Sequence, residues 1–226
     1  MFFALHLVAM ALGFANAPAL SAVQSDTTFI LRPSLTAGMG VAYHNSQDIV
    51  EMINGTYSSG QRVSEFNTSV DFFGSFCYPL SRDWALKLEY SYLLTTYNVP
   101  SNFGPGEFTA VLHLPTLFVQ YIVVASPLYN IKAGLGAGLH FGTLSIRYGT
   151  LDDSYRAAGP GMAMEVEGNT AFAEHVFVQL GVNARWEFVG ELKNAADRAP
   201  GVNVRGDPVS MHQFGVGARI GFSYVF

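Results

Sequence analysis

The stretch 209–226 alternates with a period of two, and this constrains the chain more than any other feature. Phe214, Val216, Ala218, Ile220, Phe222, Tyr224 and Phe226 share one parity, all apolar. Gln213, Gly215, Gly217, Arg219, Gly221 and Ser223 share the other, polar or very small. A strand sends alternate side chains to opposite faces, so a run this long requires a β-strand between two unlike environments. The pattern recurs eight times, over roughly 28–44, 65–78, 84–97, 108–125, 129–144, 161–172, 175–190 and 210–226. Most of these segments reach the length that crosses a bilayer at a barrel's tilt, about 9–11 residues.

The connections alternate in length. Those at 79–83, 126–128 and 173–174 are short; those at 45–64, 98–107, 145–160 and 191–209 are long and hold much of the Asn, Asp, Ser, Gly and Pro. Short turns at one end and long loops at the other mark an eight-stranded antiparallel up-and-down transmembrane β-barrel, an all-β fold. Both ends of the barrel segment then fall on the short-turn side, which is the periplasmic side in such barrels. Residues 1–22 read as a signal peptide, apolar and then rich in small residues, with cleavage after Ala22 preferred over Ala17 because Pro18 follows the latter. The barrel is expected over 23–226.

Half of the residues are hydrophobic and only 13% are charged, against about 25% in a soluble domain. Past the amino terminus no apolar run approaches the roughly 20 residues of a membrane helix. The net charge of -5 argues against nucleic acid as a partner. Cys77 is the single cysteine, so the chain forms no internal disulfide; it reads as a small space-filling residue.

Alternation alone does not say which parity faces inward, and bulk decides. One parity carries Trp84, Leu86, Leu88, Tyr90, Tyr92 and Leu94, and elsewhere Val176, Val178, Leu180, Val182, Ala184, Trp186 and Phe188. An eight-stranded interior is only just wide enough for side chains to fill, and eight such strands would overfill it. The other parity carries Gly134, Gly136, Gly138 and Gly142, then Gly215, Gly217 and Gly221. The apolar parity is therefore expected to face lipid. Phe29, Tyr78, Trp84, Phe172, Tyr224 and Phe226 near one end, and Tyr43, Phe66, Tyr97 and Trp186 near the other, read as two aromatic girdles.

The inward parity holds the charges. Arg32, Lys87, Lys132, Arg185 and Arg219 stand against Asp71, Glu89, Glu165, Glu167 and Glu187. Buried charge is tolerated only when paired and hydrogen-bonded, so an ionic network is expected along the axis. Asn67, Gln120, Asn169, Gln179, Asn183 and Gln213 are candidates to complete it. Two readings stay open for this network: a packed polar core, or a narrow or gated polar path.

With these residues in view, the chain resembles the small bacterial outer-membrane β-barrel proteins of the OmpA/OmpX type over essentially its mature length. The tail Arg219-Ile-Gly-Phe-Ser-Tyr-Val-Phe226 resembles their carboxy-terminal assembly signal, with Arg219, Gly221, Tyr224 and Phe226 in its places. The resemblance implies outer-membrane lipid and lipopolysaccharide as surroundings, and the barrel-assembly machinery and periplasmic chaperones as partners during biogenesis in a Gram-negative-type envelope. His113-Leu-Pro-Thr-Leu followed by Tyr129-Asn-Ile-Lys-Ala-Gly-Leu-Gly-Ala-Gly138 is similar to the central hairpin of several such families, OmpW-like ones included. OmpW-like proteins pass small hydrophobic compounds, a role for which this charged lumen is a poor match.

Chemistry is harder to find. A lipid A deacylase type of site needs a His and a Ser two residues apart with a Glu beyond. His44-Asn45-Ser46 has the spacing but sits where a strand runs into a loop, and Ser210-Met211-His212 has the reverse order. The histidines show no metal-ligand spacing; His140, set among inward glycines, is the one placed to sense pH. No catalytic residue, metal or cofactor is expected, and the chain reads as a non-enzyme. Loop 45–64 carries Ile49, Val50, Met52, Ile53 and Tyr57, more apolar than exposure needs, and is the expected contact for lipopolysaccharide, a protein or a host surface. The first reading is thus a structural and interaction protein working through its loops. The alternative is a narrow porin-like channel, and an envelope enzyme acting on lipid ranks third.

Overall fold

The computed structural model describes residues 31–57, 62–64, 66–99, 106–203 and 205–226. The signal-peptide segment 1–22 and Phe29 lie outside them, as does the side chain of Phe66. Eight strands run in chain order: β1 Ser34–Asn45, β2 Phe66–Pro79, β3 Trp84–Val99, β4 Gly106–Ala125, β5 Tyr129–Tyr148, β6 Leu151–Ala171, β7 Val176–Glu191 and β8 Ser210–Val225. A short helix α1, Gln47–Met52, continues into a π-helical turn at Ile53–Tyr57 between β1 and β2. Each strand pairs with its neighbours in sequence, and β8 pairs antiparallel with β1 to close the barrel. In that closing pair Ser34 lies opposite Val225 and Asn45 opposite Phe214.

The alternation reads through into the wall. Leu35, Met39, Val41 and Tyr43 of β1 point outward and are about half exposed, as are Phe214, Val216, Ile220, Phe222 and Tyr224 of β8. Thr36, Ala42, Arg219, Gly221 and Ser223 on the other parity are buried inside. Closure leaves no unpaired sheet edge. The wall has one local irregularity of chemical origin. The β4–β5 pairing passes from His113↔Phe141 to Thr116↔Gly138 without Leu114 and Pro115, because proline brings no N–H to a ladder.

Two expectations change at the long-loop end. The connection expected at 145–160 is strand: β5 and β6 stay paired up to Tyr148↔Leu151 around a tight turn. Gly149 in that turn has φ of 59°, a conformation glycine takes without a Cβ clash and that hairpin turns need. The polar residues that suggest a loop here, Arg147, Asp152 and Arg156 among them, stand exposed on the outer parity of the extended hairpin, while Leu144, Ile146 and Tyr155 are buried on the inner one. Tyr97 is the second correction. It belongs to the inner parity of β3 and is 2% exposed, so it packs in the mouth of the barrel and not in an outer girdle.

Candidate functional site: the filled axis of the barrel

Glycines on the wall decide what fits inside it. A Cβ on Gly38 or Gly221 would crowd the Phe73 ring, at 2.7 and 3.1 Å, and one on Gly136 would meet the Phe118 ring at 2.6 Å. These two inward rings lie beneath the cations: Arg219 stacks over Phe73 at 4.6 Å and Lys87 over Phe118 at 4.7 Å. Such contacts favour a cation at a desolvated ring face.

Around these rings the charges form one connected set. Lys87 Nζ lies 3.0 Å from Glu89 Oε2, 2.6 Å from Glu165 Oε2 and 3.1 Å from Glu167 Oε2. Lys132 Nζ reaches Glu167 Oε1 at 2.5 Å. Arg185 and Arg219 both donate to Glu89 Oε1 at 2.7 Å and share Ser91 Oγ, at 3.0 and 2.9 Å. Arg219 Nε donates to Asp71 Oδ2 at 2.6 Å. Gln120 and Gln179 donate to Glu165 and Glu167 at 2.8 and 2.7 Å. Charges removed from water are tolerated when opposite charges and hydrogen bonds replace the solvent, and removing one partner costs several kcal/mol.

Arg32 and Asn67 are not in this set. Arg32 precedes β1 and is exposed, because strand pairing begins only at Ser34. Asn67 is half-buried at the start of β2, where its amide donates to the Ser64 carbonyl. Without Arg32, four inward cations face five carboxylates. The fifth carboxylate, Glu187, is hydrogen-bonded to His140 Nδ1, whose other ring nitrogen meets Thr116 Oγ1 at 3.2 Å. Both His140 and Glu187 are buried, and a Cβ on Gly161 would occupy the place of the His140 ring. Cys77 fills a gap between Gln120 Oε1, 3.4 Å away, and Lys132 Nζ, 3.6 Å away.

Toward the short turns the axis is polar and neutral. Thr36, Ser223, Asn169 and Asn130 are linked by hydrogen bonds of 2.7, 3.3 and 3.0 Å. A cavity of about 300 Å³ opens below them and ends at Lys132 and Cys77.

Toward the long loops the inner wall is apolar, and the segment expected to meet a partner is folded into it. Ile49, Val50, Met52 and Ile53 are at most 1% exposed and pack with Tyr97, Phe108, Leu112, Leu144, Val189 and Met211. Burial of these side chains takes away the apolar residues on which the expected contact surface of loop 45–64 rested; 58–61 and 65 lie outside the described residues. The inner parity is mostly apolar at this end, with His44 and Thr95 paired to each other, so the apolar face of α1 is removed from water by turning inward. Asp48 anchors the helix to β8, accepting from the Ser210 hydroxyl at 2.6 Å. Tyr57 closes the top edge-on against Phe108 and Tyr148, with ring centroids 5.0 and 5.1 Å away. Burial first, then Asp153 and Tyr148, pushes its phenol above the ordinary range, so Tyr57 stays uncharged there.

The residue patterns considered for catalysis do not assemble. Ser46 Oγ donates to Gln213 at 2.9 Å, and His44 Nε2 meets Thr95 Oγ1 at 3.4 Å. Ser210 is held by Asp48, while His212 is exposed. A nucleophile and its base must share a hydrogen bond in reach of substrate, and neither pair does. Among the described residues no group of three or more His, Cys, Asp or Glu could hold a metal ion.

No family model and no curated protein matches this chain. Among solved structures it is similar to Neisserial surface protein A, with 17% identity and a TM-score of 0.51 over 86% of this chain and 97% of that one. It is also similar to Ail, the attachment invasion locus protein of Yersinia pestis, at 11% identity and TM-score 0.49 over 87% and 100%. The outer membrane protein OprG from Pseudomonas aeruginosa aligns at 16% and 0.49 over 87% and 96%. The fold is thus that of the small eight-stranded outer-membrane β-barrels.

Proposed function

We propose that this chain is an integral outer-membrane protein with a closed lumen, acting as a structural and interaction protein through its long-loop end. One observation carries the reading: the axis is filled in its middle and at its mouth. Lys87, Glu89, Arg185 and Glu187 are 1–5% exposed in its middle, and Met52 and Ile53 are 0% exposed at its mouth. A belt of outward side chains such as Leu88, Leu135, Leu139, Leu180 and Phe222, each at least 55% exposed, suits lipid and not water. Closure supplies every strand with neighbours on both sides, which a hydrocarbon surround demands.

In this reading the short turns and both ends of the barrel are periplasmic, and the β5–β6 hairpin extends outward beyond the apolar belt. Lipid and lipopolysaccharide surround the belt. The tail of Arg219, Gly221, Tyr224 and Phe226 serves the barrel-assembly machinery, with periplasmic chaperones delivering the chain. The interaction surface is the outer parity of the extended hairpin and the loop 191–209, because the apolar side of α1 is occupied.

The test is ion conductance of the refolded protein in a planar bilayer, after a gel shift between heated and unheated samples verifies the barrel. Silence is expected. Steady unitary steps that change on Arg219→Ala would replace this reading with a narrow channel along the charged axis.

A further inference from the structure

Between the ionic axis and the apolar mouth lies a small cavity of about 10 Å³ whose lining includes His44, Asp71, Asn183, Arg185 and Glu187. Its polar lining is unmatched. Asp71 Oδ1, Glu187 Oε1, Asn183 Nδ2, Arg185 Nε and Nη1, and His44 Nδ1 have no hydrogen-bond partner among the described residues. All five side chains are buried, with exposures from 2% for Asp71 and Glu187 to 8% for Asn183. Polar atoms this deep are normally hydrogen-bonded.

The mixture of donors and acceptors selects the occupant. An apolar guest would leave both sets unpaired. A metal cation would meet the Arg185 guanidinium, and an anion would meet the Asp71 and Glu187 carboxylates. Water donates twice and accepts twice, and a space of about 10–15 Å³ holds one. We propose that this cavity is an ordered-water site joining Asp71 and Arg185 to Glu187. Glu187 and Gln213 also line a second cavity of about 680 Å³, which opens at the long-loop end beside Asp48 and Ser210. The shared side chains put the site on the long-loop side of the charged axis.

Beside Glu187, the charged or titratable groups on the lining of the site are His44 from β1, Asp71 from β2 and Arg185 from β7. Glu187 is in turn hydrogen-bonded to His140 of β5. The nearest contacts from β4 and β6 are the Thr116 hydroxyl and Gly161.

Water-to-protein magnetisation transfer, with ¹⁵N-arginine-labelled protein refolded in lipid nanodiscs, tests the site. Transfer to the Arg185 Nε–H is expected. The Arg219 Nε–H, committed to Asp71 at 2.6 Å, serves as the internal control and shows weaker transfer. Asn183→Leu fills the cavity and abolishes the Arg185 signal while the heat-dependent gel shift is kept. If that variant does not refold, Gln213→Leu, which puts a larger apolar side chain on the cavity's lining, carries the same expectation. No transfer to Arg185 in the unaltered protein, or a signal that survives the filling variant, would overturn the proposal.

Discussion

Lys87 and Met52 lie inside the same barrel, at 2% and 0% exposure, and they are held by opposite means. Lys87 is held by three carboxylates and an aromatic ring that all belong to the wall. Met52 is held by apolar packing on an inserted helix that lies between β1 and a π-helical turn and pairs with no strand. The ionic middle ties β2, β3, β5, β6, β7 and β8 to one another, so its loss is a loss for the whole barrel. The apolar mouth is a local unit that can open while the strands remain paired. Ion pairs are directional and need every partner, whereas apolar packing asks only for volume and contact.

Four single substitutions sharpen the contrast, in descending order of effect. Lys87→Met leaves Glu89, Glu165 and Glu167 facing each other and costs about 3–5 kcal/mol. Urea unfolding in lipid vesicles, followed by tryptophan fluorescence, reads it. Adding Glu165→Gln recovers part of that loss; a double variant no more stable than the single one contradicts a network that is limited by charge balance. Met52→Ala makes opening of the mouth easier by about 2–4 kcal/mol. Limited proteolysis within 46–57 should accelerate while the barrel's unfolding midpoint stays in place, and a fall in that midpoint would mean the two regions are not separable.

Asp48→Ala removes the anchor to Ser210 and costs about 1–2 kcal/mol of the same local opening, seen in the same cleavage assay. Asp152→Ala breaks the exposed pair with Arg147, 3.9 Å apart, and changes stability by less than about 0.5 kcal/mol. A larger effect there would assign the extended hairpin a structural weight that its geometry does not give it.

The ionic middle was largely legible in the sequence. A charged residue on the small-residue parity of an amphipathic strand has nowhere to go but inward, so Asp71, Lys87, Glu89, Lys132, Glu165, Glu167, Arg185, Glu187 and Arg219 could be gathered without coordinates. Arg32 could not be separated from them, because alternation does not say where pairing begins. The sharing of Ser91 by Arg185 and Arg219 was also hidden, since which strands face each other across the axis depends on the register all the way round. The apolar mouth left a different signal. Leu112, Leu114, Leu144, Ile146 and Val189 put apolar residues on the inward parity near the long loops, and such a stretch needs a cover. Ile49, Val50, Met52 and Ile53 are that cover, and their apolar character pointed outward only while the wall beneath them was unknown.

The sequence by itself determined the eight strands, though not all their bounds, and the parity that faces outward, because alternation sets two unlike faces and only the small-residue parity fits inside so narrow a barrel. It also marked most of the charges that would be buried. Only the tertiary structure decided that His140 stands against Glu187, that the expected loop at 145–160 is a paired hairpin, and that α1 fills the mouth. The first and the last depend on distances between segments remote in the chain, set by how far each strand is shifted against the next; the hairpin is local pairing, and its polar outer residues made it read as loop.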